Sequence, residues 1–408
     1  MASRTRIISQ SKAVYVSPTG ILSTIASGAS HSGYIPDQLH RVDTFSFDVD
    51  LAGARTDIRE FGQLARIGTI TMSEVSPTFS LGYYLANGEN EARLGFNIEG
   101  LDNTGGTSSQ FLSGMQTEVP AKKEKNLYVL TVKEGQDAFD STTFSGTRTF
   151  HDVVGFGNCF MTSYTANFAV GEIPRVDLEG EADNLVFYTG NSSGFTNPAI
   201  NKQGARVDTG QFRLDLPSTG DMQMLVLRPD DVAVSFSNDD FDVGGTNFND
   251  IHAQSVTIEA PLARDTIEAL GAERAVARPL AFPIDVTMSV SALLKEFNDG
   301  ALDLILTGTA DENNTNITVN ITDQNSADVQ RWVLKNAVLD SQSFSLGLDD
   351  NESVDLTFSA QIGGAKSTTD GLFMSGLFAK SKPSAYSVID NINDPTHVYK
   401  KLNSGPLM

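Results

Sequence analysis

The chain has 408 residues, 40% of them hydrophobic, with 24 Phe and a formal net charge of −22. At about 150 residues per domain that length accommodates two or three domains, and 14 Pro is too few for a Pro-rich disordered chain. So acidic a body repels nucleic acid and anionic membrane at long range, which argues against sequence-specific DNA binding.

Met1-Ala2-Ser3-Arg4-Thr5-Arg6 is basic, but no continuous apolar run follows it. No secretory leader is expected, and no apolar stretch reaches the length of a membrane helix. Cys159 is the single cysteine, so no internal disulfide forms and a reducing cytoplasm suits the chain. Its apolar setting, Gly155-Phe156-Gly157-Asn158-Cys159-Phe160-Met161, predicts buried packing, with the glycines at a turn or bulge.

In chain order, residues 1–40 are rich in Ser, Gly and Ala and read as an arm. Phe45 to Leu51 alternates apolar with polar and predicts a half-buried strand. The spacing of Ile58, Phe61 and Leu64 predicts a short helix over 56–64, capped by Thr56 or Asp57. Ile67 to Ser73 and Phe79 to Leu85 read as strands, closed by a turn at Asn87-Gly88. Residues 100–125 form a polar loop. Strands resume over Leu127 to Val132, Phe160 to Val170, Phe212 to Leu216, Met222 to Leu227 and Val232 to Phe236. Asp349-Asp350-Asn351-Glu352 reads as a hairpin turn between two alternating runs. Period two dominates, so the class is mainly β.

Internal repetition organises the chain. Ala54-Arg55-Thr56-Asp57-Ile58-Arg59-Glu60-Phe61-Gly62 reappears as Ala263-Arg264-Asp265-Thr266-Ile267-Glu268-Ala269-Leu270-Gly271. Ile70-Thr71-Met72-Ser73 matches Val286-Thr287-Met288-Ser289, and Leu130-Thr131-Val132 matches Ile321-Thr322-Asp323. The common order of these matches predicts a tandem duplication. The organisation expected is an arm over 1–40, one domain over 41–190, an acidic β-rich connector over 191–250, a second domain over 251–365 and a C-terminal arm over 366–408.

Signatures of enzyme chemistry are missing. His31, His40, His151, His252 and His397 lack metal-site spacing. No nucleophile elbow, phosphate loop or dinucleotide fingerprint is present. Asp239-Asp240-Phe241-Asp242 begins like a calcium loop, but its twelfth position is Asp250 where Glu is required, so an acidic loop is the better reading. No catalytic, cofactor or metal residue is nominated, and no cofactor or enzymatic activity is expected. A β-sandwich carbohydrate-binding protein is a remote alternative; Trp332 as the single tryptophan counts against it.

The assembled pattern resembles the tail tube proteins of long-tailed bacteriophages. Val42-Asp43-Thr44-Phe45-Ser46-Phe47, the Ala54 to Leu64 piece, Ser163 to Pro174, and the closing runs Leu334 to Leu339 and Phe358 to Gln361 carry the resemblance. It implies a β-sandwich or incomplete-barrel unit with a short flanking helix and a long loop, one per chain in most members, and the duplication implies two such units here. It further implies that the protein partners with itself in rings stacked into a tube in the virion, made in the host cytoplasm. Baseplate, terminator, tape-measure and sheath proteins would be further partners. Genomic DNA would pass through the lumen without specific binding, and no membrane would be involved. With two units per chain, three chains would close a pseudo-six-fold ring. Lumen-facing acidic residues such as Asp48 and Asp50, or equally their neighbours, would ease DNA transit. A baseplate hub, tail terminator or capsid decoration protein is the alternative.

Overall fold

A computed structural model describes residues 12–19, 36–50, 55–71, 76–100, 110–116, 124–132, 152–189, 195–207, 211–212, 214, 217, 232–236, 252–272, 274–293, 315–322, 328–345, 353–364 and 367–376. The protein is mainly β. The front part contains β1 (Ala13–Pro18), β2 (Asp37–Leu39), β3 (Val42–Asp48), β4 (Arg55–Ile58), β5 (Gly68–Thr71), β6 (Thr78–Tyr84), α1 (Glu89–Leu94), β7 (Lys125–Thr131), β8 (Asp152–Ala169) and β9 (Arg175–Tyr188). Two short strands follow, β10 (Phe195–Thr196) and β11 (Gln211–Phe212). The rear part contains β12 (Val232–Phe236), β13 (His252–Pro261), β14 (Asp285–Leu293), β15 (Thr315–Thr322), β16 (Asp328–Ser345), β17 (Ser353–Gln361) and β18 (Gly371–Gly376).

The front strands pair in the order β1-β7-β8-β9-β6-β3 and the rear strands in the order β12-β15-β16-β17-β14-β13. Numbered within their own halves, these are the same order. The ladders agree residue by residue. Asp48, Thr78, Glu181 and Phe160 stand in one row across four strands. Glu259, Thr287, Ser359 and Val338 make the matching row. Bulges coincide as well: Val42/Thr44 answers Ala253/Ser255, and Met161/Ser163 answers Leu339/Ser341. Asn158 and Asn336, both with positive φ, sit at corresponding bulges where β8 and β16 pair with β7 and β15. Asn tolerates that left-handed conformation better than most residues.

β8 and β16 each span 18 residues and serve two layers. The first half of β8 pairs with β7 and its last residues pair with β13. The β8·β13 ladder joins the halves, so β3-β6-β9-β8-β13-β14-β17-β16 is one continuous antiparallel array of eight strands, open at both ends among the described residues. Strands switching layers at bulges is how sandwiches turn corners. One hydrophobic cluster lies under the array: Phe79, Leu81, Tyr164, Phe168, Val256, Ile258, Met288, Val290 and Phe358 face Val14, Leu127, Val129, Ile317, Val319 and Met374 of the second layer.

Several expectations need correction. Residues 55–58 are strand β4, paired with β5, so the segment 56–64 is a β-hairpin and not a helix. Its repeat is also a hairpin, with bridges Arg264↔Leu280 and Ile267↔Ala277. Helical spacing of Ile58, Phe61 and Leu64 signals a helix only if that stripe is buried; here all three are exposed. Gly62 and Gly271 reverse each hairpin tip at φ +94 and +86, a conformation open to Gly and costly to most residues. An α-helix, α1, instead follows the Asn87-Gly88 turn. The ladders also shift two repeat matches. Thr78-Phe79-Ser80-Leu81, and not residues 70–73, is the counterpart of Thr287-Met288-Ser289-Val290 in the other half, and Leu130 corresponds to Asn320, one residue from the expected match. A T-x-S string recurs easily in alternating strands, so it fixes register poorly. β1 and β18, within the segments expected as arms, are buried throughout. The 222–227, 239–250 and 349–352 expectations lie outside the described residues.

Candidate assembly surfaces

The hairpins are the first surface. Each carries the same tip hydrogen bonds: Ile67 N to Ile58 O and Gln63 N to Glu60 O in front, Val276 N to Ile267 O and Ala272 N to Ala269 O behind. Three apolar positions match between them. Ile58 and Ile267, Phe61 and Leu270, and Ile67 and Val276 are all exposed, Phe61 and Leu270 completely. Burying one such side chain is worth about 1.5–3 kcal/mol. Keeping three of them in water on both copies is costly unless something covers them.

The second surface is the open face of the eight-strand array. Alternate residues on its strands are hydroxyls, amides and carboxylates: Ser46, Asp48, Thr78, Ser80, Asp177, Glu179, Thr165, Asn167, Thr257, Glu259, Asp285, Thr287, Ser289, Asp355, Thr357 and Ser341. Thr257 Oγ1 donates to Asn167 Oδ1 at 3.1 Å, and Ser46 and Ser80 share a hydrogen bond of 2.7 Å across β3·β6. Two arginines among the described residues reach this face and both are held by carboxylates: Arg175 by Asp43 and Asp177 at 2.8 and 2.9 Å, and Arg278 by Glu181, in the row of Asp48 and Thr78, at 2.9 Å. Asp48, a sequence candidate, faces outward here; Asp50 lies just past the end of β3 and is also exposed.

The array's two ends make the third surface. Among the described residues, β3 pairs only with β6. β16 pairs with β15 on one edge up to Ala337, and beyond it Ser341–Ser345 has a neighbour, β17, on the other edge only.

The core beneath the array buries a carboxylate among the described residues. Glu91 on α1 is buried and accepts hydrogen bonds from the hydroxyls of Tyr83 at 3.0 Å and Tyr164 at 3.5 Å. Burial pushes its carboxyl up to about 7, against the two tyrosine hydrogen bonds that favour its charged form. Phe96, Phe111 and Trp332 pack against the ring of Tyr164, its second hydrogen-bond donor. Burial likewise raises the Cys159 thiol, so it is inert packing. His40 is buried in the turn before β3, where its backbone bonds the Asn90 side chain of α1. Among the described residues no three His, Cys, Asp or Glu gather as a metal site, and no helix is long and apolar enough to cross a membrane. The sequence named no catalytic, cofactor or metal residue. The hairpin tips were visible in it as a repeated apolar string, but helical spacing disguised them.

Together these features define a mainly β protein whose antiparallel array presents a polar face, two ends unpaired among the described residues, and two matching apolar hairpins. No known protein family matches the chain, and no curated protein matches it. Among solved structures it is similar to a chain of the SPP1 tail tube at 13% identity and TM-score 0.27, over 37% of this chain and 79% of that one. A chain of the anti-feeding prophage baseplate aligns at 14% identity and TM-score 0.26, over 36% and 93%. An Hcp protein aligns at 12% and 0.21, over 35% and 95%.

Proposed function

We propose that this chain is a tail tube subunit of a long-tailed phage, a structural virion protein without catalytic activity, built from a duplicated module. The observation that supports it is the matched strand order of the two halves, joined edge to edge through β8·β13 into an array whose ends are unpaired among the described residues. An open edge is an invitation to pair with another chain, and a ring satisfies every edge. Two modules per chain give three chains per pseudo-six-fold ring. The polar open face lines the lumen. Its carboxylates repel the phosphate backbone and its hydroxyls offer DNA no basic anchor, so transit meets little resistance. The hairpins reach the next ring and cover their apolar tips there.

Negative-stain microscopy with mass measurement of the purified protein tests this. Hollow rings that stack into tubes, with three chains per ring, are expected. Six chains per ring overturn the stoichiometry, a single ring that never lengthens makes the protein a baseplate hub, and a monomer at high concentration ends the reading.

A further inference from the structure

β13 and β3 are counterparts, yet among the described residues only β13 has a strand on both sides. Ile258 in β13 is fully buried because β8 lies beside it, whereas its counterpart Phe47 in β3 is 42% exposed. The same asymmetry appears at the far end. The last residues of β8, Ser163–Ala169, carry β13, while the corresponding edge of β16, residues 341–345, carries no strand among the described residues. Each unpaired end is therefore the counterpart of one side of a joint the chain already makes within itself.

We propose that β3 of one copy pairs with the end of β16 of a second copy in the register that β13 uses on β8. This rests on the ring reading above and specifies its contact. The internal pair Glu259↔Thr165 becomes Asp48 opposite Ser343 of the neighbouring copy, and Ile258↔Ala166 becomes Phe47 opposite Phe344. The joint is antiparallel, so the array continues across copies with its polar face unbroken. Phe47 then occupies the covered position that Ile258 occupies at the internal joint.

Disulfide trapping reads this directly. Directly opposed residues of an antiparallel ladder have Cα atoms about 4.5–5.5 Å apart, within the span a disulfide bridges. Cys159 is buried and inert, so the wild-type background is clean. The double variant Asp48→Cys/Ser343→Cys, oxidised as assembled protein, should run on a non-reducing denaturing gel as covalent multimers ending at the ring size. Each single variant should remain monomeric. Glu259→Cys/Thr165→Cys is the internal control and should link within one chain without changing its mass. If microscopy shows closed rings in which Asp48→Cys/Ser343→Cys stays unlinked, or in which only the two-residue-shifted Asp50→Cys/Ser343→Cys pair links, this register is wrong and the ring stands. If no rings form under any condition while the internal control links, the ring reading fails with it.

Discussion

The two hairpins are copies in topology and differ in how they are held. The front hairpin, β4 and β5, is tied mainly to itself: Arg66 pairs with Asp57 at 3.0 Å and both side chains are exposed. The rear hairpin is fixed to the front half at its base. Arg278 pairs with Asp183 at 2.8 Å and Glu181 at 2.9 Å, and both Arg264 and Arg278 lie over the Phe160 ring. Arg264 also donates to Met161 O at 3.1 Å, and burial pushes it down to about 10. Arg274 bonds the backbone carbonyls of Asp183 and Lys202. The front positions that correspond to Arg274 and Arg278 are Ala65 and Thr69. Identical strand orders therefore diverge where one half must grip the other, and the arginines mark that grip.

Breaking the grip should have the largest effect. Arg278 and Asp183 are each about nine-tenths buried, and burial already raises the Asp183 carboxyl. Removing one partner strands the other charge, so Arg278→Ala should destabilise by about 3–5 kcal/mol in denaturant unfolding. Retention of the wild-type midpoint would mean the rear hairpin is not anchored this way. Arg66→Ala, in the front hairpin, should leave the midpoint unmoved, because exposed pairs contribute little.

Glu91 sharpens the comparison from the core, since α1 belongs to the front half. Its folded value, about 7, lies above the ordinary 4.5. The folded state therefore holds the proton more tightly, and stability falls as pH rises from about 4.5 to 7, by about 3 kcal/mol in all. Below that window the carboxyl is protonated in both states and the cost vanishes. Glu91→Gln should flatten this segment of the stability–pH curve; a slope equal to wild type would refute the assignment.

The smallest effect on stability, and the clearest on assembly, is expected at the tips. Phe61→Ser with Leu270→Ser removes side chains that touch solvent only. The unfolding midpoint should stay within about 0.5 kcal/mol, while tubes shorten to single rings by microscopy. Tubes of normal length would show that the hairpins do not stack rings. Either single variant should shorten tubes less than the pair.

The front half also carries cover that the rear lacks among the described residues. Tyr15, Tyr128, Leu130, Phe195, Phe212 and Leu214 form a second cluster on the outer face of β1 and β7. Asn126, Asn158 and Asn197 stitch that cover down: Asn126 Nδ2 donates to Asn197 Oδ1 at 2.8 Å, and Ile200 N donates to Asn158 Oδ1 at 2.8 Å. Gly157 makes the close approach feasible, since a Cβ there would meet Pro198 O at 2.2 Å. The sequence showed Gly155, Gly157 and Cys159 as a bulged, buried run, and so they are. It gave no sign that residues 195–214 would lie over them, because nothing local in that segment marks its target.

Alternation along β3, β6, β8, β13 and β17 determined from sequence alone that the chain is mainly β, because a residue pattern of period two can bury one face of a strand and of nothing else. The repeated Ala-Arg string located both hairpins. It could not say that they were hairpins, because three apolar residues at helical spacing suit a helix or an exposed turn equally until a core is present to face. Strand order, the β8·β13 joint and the exposure of Phe47 beside the burial of Ile258 were settled only in three dimensions. Those depend on which distant edge each strand meets, and backbone pairing across edges carries no mark in the side chains that make it.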